Sequence, residues 1–236
     1  MRVYIGYDST NYGQEIAYRI CRRSIENHNS DVEISPIKLK DAQGISGFNR
    51  EVDSKQSTEF TYTRFLTPFL SRYTGYSLFC DSDFLWRCDV TETLDFISPW
   101  NPVSCVQHEY AECPSKTKMD GLKQEWYPKK NWSSLMLFNC DHRDCKSLTP
   151  SVVSNQSPKY LHRMEWAEDE SVGAIPWDYN YLVGYYSFTE KPRALHFTDG
   201  GPWHKDTVDV EYADEWLSYL TKEEGEEFNS GKFWAK

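Results

Sequence analysis

Short apolar segments of strand length alternate along this chain with segments whose apolar residues recur at helical spacing. The first strand is predicted over residues 2–8, and the segment that follows places Ile16, Ile20 and Ile25 on one helical stripe. Further strands are predicted over 32–39, 76–81, 103–109, 133–140 and 193–198. This alternation predicts an α/β protein in which helices cover the faces of a central sheet.

Two prolines set limits on this pattern. Pro36 lies within the segment 32–39, and because proline cannot donate a hydrogen bond to a neighbouring strand, we expect that strand at an edge of the sheet. Pro68 lies within the segment 57–73, whose apolar residues have helical spacing. It is expected to mark a kink or a boundary in that helix.

Polar residues dominate the segment 40–56, which we expect to form a flexible connection, and the segment 110–131, which we expect to form a long insertion. Neither has the composition of a linker between domains, and a chain of 236 residues is long enough to bury one hydrophobic core. We therefore interpret residues 1–236 as a single domain.

The charge and the cysteines exclude several classes of protein. A formal net charge of −10 argues against binding of nucleic acid, since proteins that bind it carry basic patches. The seven cysteines are scattered, odd in number and without paired C-x-x-C motifs, which argues against a zinc site and favours reduced thiols. No segment is long and apolar enough for a transmembrane helix, and the first strand begins without a signal peptide. We therefore expect a cytoplasmic protein.

The segment LFCDSDFLW, residues 78–86, places two acidic residues inside an apolar run. Carboxylates are costly to remove from water unless a cation pairs with them, so Asp81 and Asp83 either lie in a solvated turn or hold a cation. Residues i and i+2 of an extended chain point the same way, so both carboxylates can approach one ion. Mg²⁺ and Mn²⁺ are usually bound like this, by few protein ligands together with substrate phosphates.

Two other kinds of site with the D-x-D pattern fit poorly. A calcium loop of the EF-hand type requires glycine at its sixth position, where this sequence has Trp86. A phosphatase with an aspartate nucleophile has D-x-D-x-T after its first strand, whereas Leu85 occupies the fifth position here and the strand is a later one. No glycine-rich nucleotide-binding loop follows any predicted strand.

Polar residues lie at the carboxyl ends of several predicted strands, which is where α/β sheets bind their ligands. Asp8 ends the first strand, and Asp81 ends a later one. His196 ends the strand of 193–198 and is the natural candidate for a third metal ligand. The turn that follows contains Gly200 and Gly201, which let backbone N–H groups approach an anion.

Four motifs in this order resemble those of GT-A type glycosyltransferases, closest to the retaining family that contains glycogenin and the bacterial lipopolysaccharide galactosyl- and glucosyltransferases. TYTRFLTPFL (61–70) resembles that family's T-Y-x-R-L, and SLFCDSDFLWRCDVTETL (77–94) resembles its K-V-L-Y-L-D-x-D-x-x-V-x-x-D-L-x-x-L. ALHFTDGGPWH (194–204) resembles its H-F-x-G-x-x-K-P-W, and IGYDSTNYG (5–13) resembles its first strand and helix.

The resemblance implies a GT-A type nucleotide-sugar-binding fold with a mixed, mostly parallel central sheet. It implies that Asp81, Asp83 and His196 hold Mn²⁺ or Mg²⁺, and that Arg64 faces the donor and takes part in catalysis. The residues that it implies for contacts with the nucleotide sugar are Asp8, Asn11, Tyr12, Arg64, Ser82, Gly200, Gly201 and Lys205. The third motif is one residue shorter here and lacks the family's lysine, so Lys205 or His204 is the candidate in its place.

The segment that faces the acceptor in this family is matched less closely by the present sequence. Glu168, Asp169 and Glu170 stand in place of its D-Q-D segment, which makes Asp169 the candidate catalytic carboxylate. Trp177 and Trp203 are candidate faces for the stacking of a sugar, and packing in the core is an equally good interpretation of either.

The activity that the resemblance implies is transfer of a sugar from a nucleotide-sugar donor, a UDP-sugar, to a hydroxyl group of a glycan or glycolipid, with retention of configuration. Two alternatives stay open. One is a carbohydrate-binding protein without catalysis, which would use the aromatic content of 9 Trp, 16 Tyr and 12 Phe. The other is a metal-dependent phosphotransferase with Asp81 as its nucleophile.

Overall fold

A computed structural model describes residues 1–10, 12–51, 58–109, 129–187 and 191–235. The strands in these ranges are β1 (Arg2–Tyr7), β2 (Glu33–Lys38), β3 (Tyr76–Cys80), β4 (Phe84–Trp86), β5 (Val103–Val106), β6 (Leu135–Asn139), β7 (Gly173–Ile175), β8 (Tyr181–Leu182) and β9 (Ala194–His196). Six of them form a central sheet in the order β2-β1-β3-β6-β5-β7, and the other three form a small sheet in the order β4-β9-β8.

The central sheet is mixed, and five of its six strands run in one direction. β1 pairs in parallel with β2 and β3, and β5 pairs in parallel with β7, whereas β6 is antiparallel to β3 and β5. Every residue of β6 is buried, as expected for a central strand with an apolar sequence. The prediction of a mixed, mostly parallel sheet is confirmed, and β2, which contains Pro36, is an edge strand as expected.

In the described ranges, eight α-helices and seven 3₁₀ helices lie between the strands or after the last of them. The α-helices are α1 (Tyr12–His28), α2 (Leu39–Gln43), α3 (Thr67–Leu70), α4 (Arg143–Ser147), α5 (Pro150–Asn155), α6 (Pro158–His162), α7 (Ala213–Leu217) and α8 (Lys222–Asn229). The 3₁₀ helices are Thr63–Leu66, Val90–Phe96, Trp132–Ser134, Asp169–Ser171, Trp177–Asn180, Lys205–Thr207 and Lys232–Ala235.

Both faces of the central sheet are covered, because successive side chains of each strand point to opposite faces. On one face, Leu78 and Cys80 of β3 belong to a core cluster with Ile25 of α1. On the other face, Phe79 belongs to a cluster with Leu161 of α6. The helices therefore lie on both faces, as the alternating sequence pattern predicts.

A third core cluster joins the small sheet to α1 and to the C-terminal segment. It includes Ile16 of α1, Leu85 of β4 and Leu195 of β9, together with Trp216 of α7 and Phe233. The stripe of apolar residues along α1 thus faces two structures at once, the central sheet and the small sheet. This arrangement holds the small sheet at the carboxyl end of β3.

The continuous helix predicted over 57–73 is wrong. The described part of this segment forms turns, the 3₁₀ helix Thr63–Leu66 and then α3, with Pro68 in the first turn of α3. Proline is tolerated in a first turn, where its missing N–H would have no partner, but not in a helix interior, so the helix has to begin again there. Pro68 is therefore a boundary, which was one of the two expectations.

The two polar segments are described only in part. The segment 40–56 was expected to be a flexible connection, but its first residues belong to helix α2, which ends at Gln43. Residues 52–57 lie outside the described residues. Residues 110–128 of the predicted insertion also lie outside them. The cysteines in the described ranges are buried free thiols, and they are Cys21, Cys80, Cys88, Cys105, Cys140 and Cys145.

Candidate functional site

The two aspartates of the D-x-D motif occupy the turn between the central sheet and the small sheet. Asp81 directly follows β3, and Asp83 directly precedes β4. In the small sheet, β4 pairs with β9 so that Phe84 lies opposite His196, and the backbone N–H of Phe197 donates to the carbonyl of Asp83 at 3.0 Å. The strand register alone therefore brings His196 beside Asp83, although the two residues are far apart in the sequence.

Asp81, Asp83 and His196 form a compact group with the geometry of a metal site. One ligand atom from each lies within 4.8 Å of the other two, and Nε2 of His196 lies 3.3 Å from Oδ1 of Asp83. Burial alone would raise the pKa of Asp83, but His196 and, more weakly, Arg64 lower it, and the net shift is downward. Asp83 therefore stays ionised.

The orientation of His196 is fixed by its second ring nitrogen. Nδ1 lies 2.8 Å from Oδ1 of Asn180, whose Nδ2 donates to Oγ of Ser134 at 2.9 Å. Because an amide oxygen only accepts hydrogen bonds, Nδ1 of His196 carries a proton, and Nε2 is the ring nitrogen that faces Asp83. The ring also stacks on Phe84, with centroids 4.5 Å apart.

The donor set fits a divalent cation. Nε2 of His196 and Oδ1 of Asp83 face each other at 3.3 Å, so a cation beside them can contact both atoms. The buried Oδ1 of Asp83 also receives no hydrogen bond from the described residues. Two carboxylates and one imidazole are ligands that a divalent cation accepts, so the residues present fit a metal site.

Arg64 lies at this group and is buried. Its Nη1 is 3.0 Å from Oδ1 of Asp81 and donates to the carbonyl of Ser133 at 2.8 Å. The guanidinium also lies over the rings of Phe60 and Phe79, and its carbon is 5.3 and 5.2 Å from their centroids. The side chain is therefore held in one place, next to Asp81.

The turn after β9 is shaped by the packing of Trp203. Gly200 has a positive φ of 108°, and a Cβ on Gly201 would come 2.1 Å from the ring of Trp203. Trp203 is 3% exposed and packs against Phe197 and Trp216, so it is a core residue and not a stacking face for a sugar. These contacts require glycine where the sequence has it.

Lys205 and Ser82 flank the group differently. Lys205 is exposed and begins the 3₁₀ helix Lys205–Thr207, whereas Ser82 is buried in the turn between the two aspartates. Contacts of either residue with a donor stay predictions.

Asp8 follows β1, which is the parallel neighbour of β3, and it is buried. Its Oδ1 accepts from the backbone N–H and the hydroxyl of Thr10, at 2.9 and 2.6 Å, and its Oδ2 accepts from the backbone N–H of Glu59. This carboxylate therefore ties the turn after β1 to the chain before the 3₁₀ helix that carries Arg64. Its contact with a nucleoside stays a prediction.

Tyr12 begins α1 and packs against the C-terminal segment. Its hydroxyl donates to Oε2 of Glu227 at 2.7 Å, and its ring lies 5.5 Å from that of Phe233. Burial and then the bond to Glu227 raise the pKa of Tyr12 to about 12. Asn11, the other residue expected at the nucleoside, lies outside the described residues.

The residues expected on the acceptor side are exposed. Oδ1 of Asp169 pairs with Nζ of Lys129 at 2.6 Å, and Glu168 and Glu170 are exposed beside it. Trp177 is 50% exposed, so of the two candidate stacking residues this is the one whose ring is accessible.

Sequence reasoning missed four residues that shape the site. Asn180 and Ser134 orient His196, Lys129 pairs with Asp169, and His108 bonds Tyr186 through Nδ1 at 2.7 Å. Burial, and less strongly His196, lowers the pKa of His108 to about 3, so its ring is neutral. A signal for His108 was present in the sequence, because it lies near the carboxyl end of the predicted strand 103–109, at the edge where ligands bind.

Comparison with solved structures identifies the fold. The chain is similar to the bifunctional glycosyltransferase WbbM, with a TM-score of 0.64 and 16% identity over 98% of this chain and 51% of that one, so it spans about half the length of WbbM. It is also similar to the galactosyltransferase LgtC in complex with donor and acceptor sugar analogs, with a TM-score of 0.57 and 14% identity over 95% of this chain and 99% of that one. The chain has the GT-A glycosyltransferase fold, as its motifs implied.

One relative is similar in sequence over nearly the whole chain. Protein CDI of Arabidopsis thaliana is 43% identical over 234 residues, which cover 97% of this chain and 87% of that protein. The chain belongs to the family of Protein CDI. No family model matches it. Among the described residues, no helix has both the length and the apolar composition needed to cross a lipid bilayer.

Proposed function

We propose that this protein transfers a sugar from a UDP-sugar to a hydroxyl group of a glycan or glycolipid, in a reaction that depends on Mn²⁺ or Mg²⁺ and retains the anomeric configuration. The observation that carries the proposal is the convergence of Asp81, Asp83 and His196 in a GT-A fold. Retention rests on the resemblance of the motifs alone. The single-domain organisation and the cytoplasmic location are likewise expectations from the sequence.

The donor side combines a metal site with a fixed arginine. Asp81, Asp83 and His196 would hold the cation, which when bound supplies positive charge to the diphosphate leaving group. Arg64 pairs with Asp81 and holds its carboxylate in place, and its guanidinium adds positive charge at the same place. Gly200 and Gly201 have no side chains, so the backbone of this turn can approach the phosphates closely.

The reaction breaks one bond and forms another. The bond between the anomeric carbon and the phosphate oxygen breaks, and the nucleoside diphosphate leaves with the electron pair. The acceptor oxygen forms the new bond to that carbon and releases its proton to the diphosphate or to water. The sugar would pass through a state with the character of an oxocarbenium ion, and the carboxylate of Asp169 would stabilise that charge or orient the acceptor.

Calorimetric titration with UDP, with and without Mn²⁺, tests the donor side. We expect binding that requires the metal, that EDTA abolishes and that added Mn²⁺ restores, because without a cation the carboxylates and phosphates repel each other. Asp81→Asn, Asp83→Asn and His196→Ala should each lose this binding. Asp95→Asn, which changes an exposed acidic residue of the 3₁₀ helix Val90–Phe96, is the matched control and should bind normally.

The same proteins distinguish the alternatives. Equal binding of UDP with and without metal in the parent protein would exclude the metal-dependent donor site. Binding of glycans without any binding of UDP would favour a carbohydrate-binding protein. Trapping of a phosphate on Asp81 would favour a phosphotransferase. A screen of nucleotide sugars for metal-dependent thermal stabilisation then identifies the donor, since a ligand that binds only the native state raises its melting temperature.

A further inference from the structure

Two tryptophans are strongly exposed among the described residues, and they lie at opposite edges of the central sheet. Trp100 is 81% exposed and precedes β5, so it lies at the amino end of the parallel strands. Trp177 is 50% exposed and follows β7, so it lies at their carboxyl end, the edge at which Asp81 follows β3. Because α/β sheets bind their ligands at the carboxyl ends of the strands, the exposed indole of Trp177 lies where it can contact a ligand. The indole of Trp100 does not.

The indole of Trp177 rests against rings that are themselves held in place. Its ring centroid lies 5.9 Å from that of Tyr181 and 5.6 Å from that of Tyr186. Tyr181 is buried, and the hydroxyl of Tyr186 lies 2.7 Å from Nδ1 of the buried His108. The indole is therefore in tilted contact with two aromatic side chains that are held in place, and half of its surface is left to solvent.

Trp177 is also connected to the metal centre by one turn of backbone. It begins the 3₁₀ helix Trp177–Asn180, whose last residue holds Nδ1 of His196. A 3₁₀ helix rises about 2 Å per residue, so the start of this turn lies roughly 6 Å along the helix axis from Asn180. A ligand on the indole would lie close to a donor at the metal centre.

We infer that Trp177, supported by Tyr181 and Tyr186, is the platform on which a pyranose ring of the acceptor glycan stacks. This inference rests on the proposed transferase function and deepens it by naming the class of acceptor. The apolar C–H face of a pyranose matches the electron-rich face of an indole, while its hydroxyl groups stay available for polar contacts and for reaction.

The negative charge of the chain favours a neutral glycan over an acidic one as the acceptor. The formal net charge is −10, and the exposed carboxylates of Glu168, Asp169 and Glu170 lie on the segment that leads into β7 and then to Trp177. Repulsion would weaken the approach of an acidic glycan to this surface. The expected ligand is therefore a neutral oligosaccharide, or the neutral sugar part of a glycolipid.

Saturation-transfer NMR tests the platform directly, without any need for turnover. Lactose, cellobiose, maltose and xylobiose serve as probes, with UDP and Mn²⁺ present. We expect at least one of them to receive saturation through the C–H protons of one ring face. Trp177→Ala should weaken that binding about tenfold, and Trp177→Phe, which keeps an aromatic ring, should retain most of it.

The matched control is Trp100→Ala, which removes the other exposed indole and should leave sugar binding unchanged. Binding that is equal in Trp177→Ala and the parent, or no saturation transfer to any of the four sugars, overturns the platform. A Trp177→Ala change that converts a dimer into monomers in sedimentation would also overturn it, because the indole would then serve an interface between copies of the chain.

The titration with UDP keeps this inference separate from the proposed function. Metal-dependent UDP binding that is normal in both the parent and Trp177→Ala, with unchanged sugar binding, removes the platform and leaves the donor site intact. Sugar binding that depends on Trp177 in a protein that binds no UDP removes the transferase function instead.

Discussion

Nδ1 of His196 lies 2.8 Å from Oδ1 of Asn180, and both residues are buried. The amide of Asn180 is itself anchored, because its Nδ2 donates to Oγ of Ser134, which in turn donates to the carbonyl of Asn131 at 2.7 Å. The imidazole can neither flip nor change its tautomer without breaking this chain of hydrogen bonds. Asn180 is therefore a positioning residue for the nitrogen ligand of the candidate metal site.

Replacement of Asn180 by leucine removes the acceptor while keeping a side chain of similar size. We expect Asn180→Leu to weaken binding of Mn²⁺ by about 10- to 100-fold, the usual effect of losing a group that orients a metal ligand. Asn180→Asp keeps an oxygen at this position and should retain most of the affinity. The electron paramagnetic resonance signal of free Mn²⁺ measures the affinity without any substrate.

Asn139→Leu is the matched control for this pair. Asn139 is also buried, but it ends β6 and its amide donates to the carbonyl of Pro99, at the opposite edge of the sheet. Its replacement should lower stability and leave the affinity for Mn²⁺ unchanged. If Asn180→Leu binds Mn²⁺ as tightly as the parent, the orienting role is wrong.

Asp169 offers a test of the acceptor side. Because its carboxylate is exposed and paired with Lys129, Asp169→Asn should preserve the fold and the affinity for UDP. We expect turnover to fall about 10- to 100-fold, which corresponds to one lost charge-assisted interaction in the transition state. Initial rates at saturating donor measure the effect, and Asp95→Asn, which changes an exposed carboxylate away from this segment, is the control. Loss of UDP binding with normal turnover would contradict the assignment.

Glu224 fastens α8 to α1 and makes stability depend on pH. Its two oxygens accept from the guanidinium of Arg23, at 2.7 and 2.8 Å, and its side chain is 6% exposed. Although burial opposes ionisation, the bonds to Arg23 and Thr221 lower the pKa of Glu224 from 4.5 to about 2. That difference corresponds to about 3 kcal/mol of unfolding free energy at neutral pH.

The direction of the pKa shift determines how the contribution of Glu224 to stability changes with pH. A lowered carboxyl pKa stabilises the folded state above pH 4.5 and loses its effect as the pH falls towards 2. We therefore expect Glu224→Gln to be less stable than the parent at neutral pH, and the gap between them to close as the pH is lowered. Urea unfolding at several pH values measures both, with Glu226→Gln, an exposed residue of the same helix, as the control. A gap that is independent of pH would contradict the ion pair.

Gly201 and Gly225 form a contrasting pair. A Cβ at Gly201 would meet the packed ring of Trp203 at 2.1 Å, so Gly201→Ala should lower the unfolding free energy by about 1–3 kcal/mol. A Cβ at Gly225, within α8, meets no atom within 4 Å, so Gly225→Ala should raise it by about 0.5–1 kcal/mol. Urea unfolding of both variants tests this, and a neutral Gly201→Ala would mean that Trp203 can move.

The central sheet could be predicted from the sequence because β1, β3 and β6 are long enough to display a pattern. The small sheet could not, since β4 has three residues and β8 has two, too few for either alternation or an apolar run to be distinguished from a turn. The short β7 was missed for the same reason.

Some residues of the candidate site could be predicted from the sequence, and others could not. Asp81 and Asp83 were readable because they interrupt an apolar strand, and His196 because a strand ends there. Asn180 was not, because its role depends on a contact across two short elements that have no pattern of their own. Spacing alone also could not separate Trp177 from Trp203, since only the fold decides which indole is covered.

Asp83 and His196, two of the candidate metal ligands, are held near each other by the antiparallel pairing of β4 with β9. Their distance therefore does not depend on the length of the chain that joins them. Backbone hydrogen bonds place Phe84 opposite His196 whatever loops lie between Trp86 and Ala194. An insertion or deletion in one of those loops would leave the aspartates and the imidazole where they are. The distance between the three candidate ligands is therefore set by the pairing of two strands and not by the length of the chain between them.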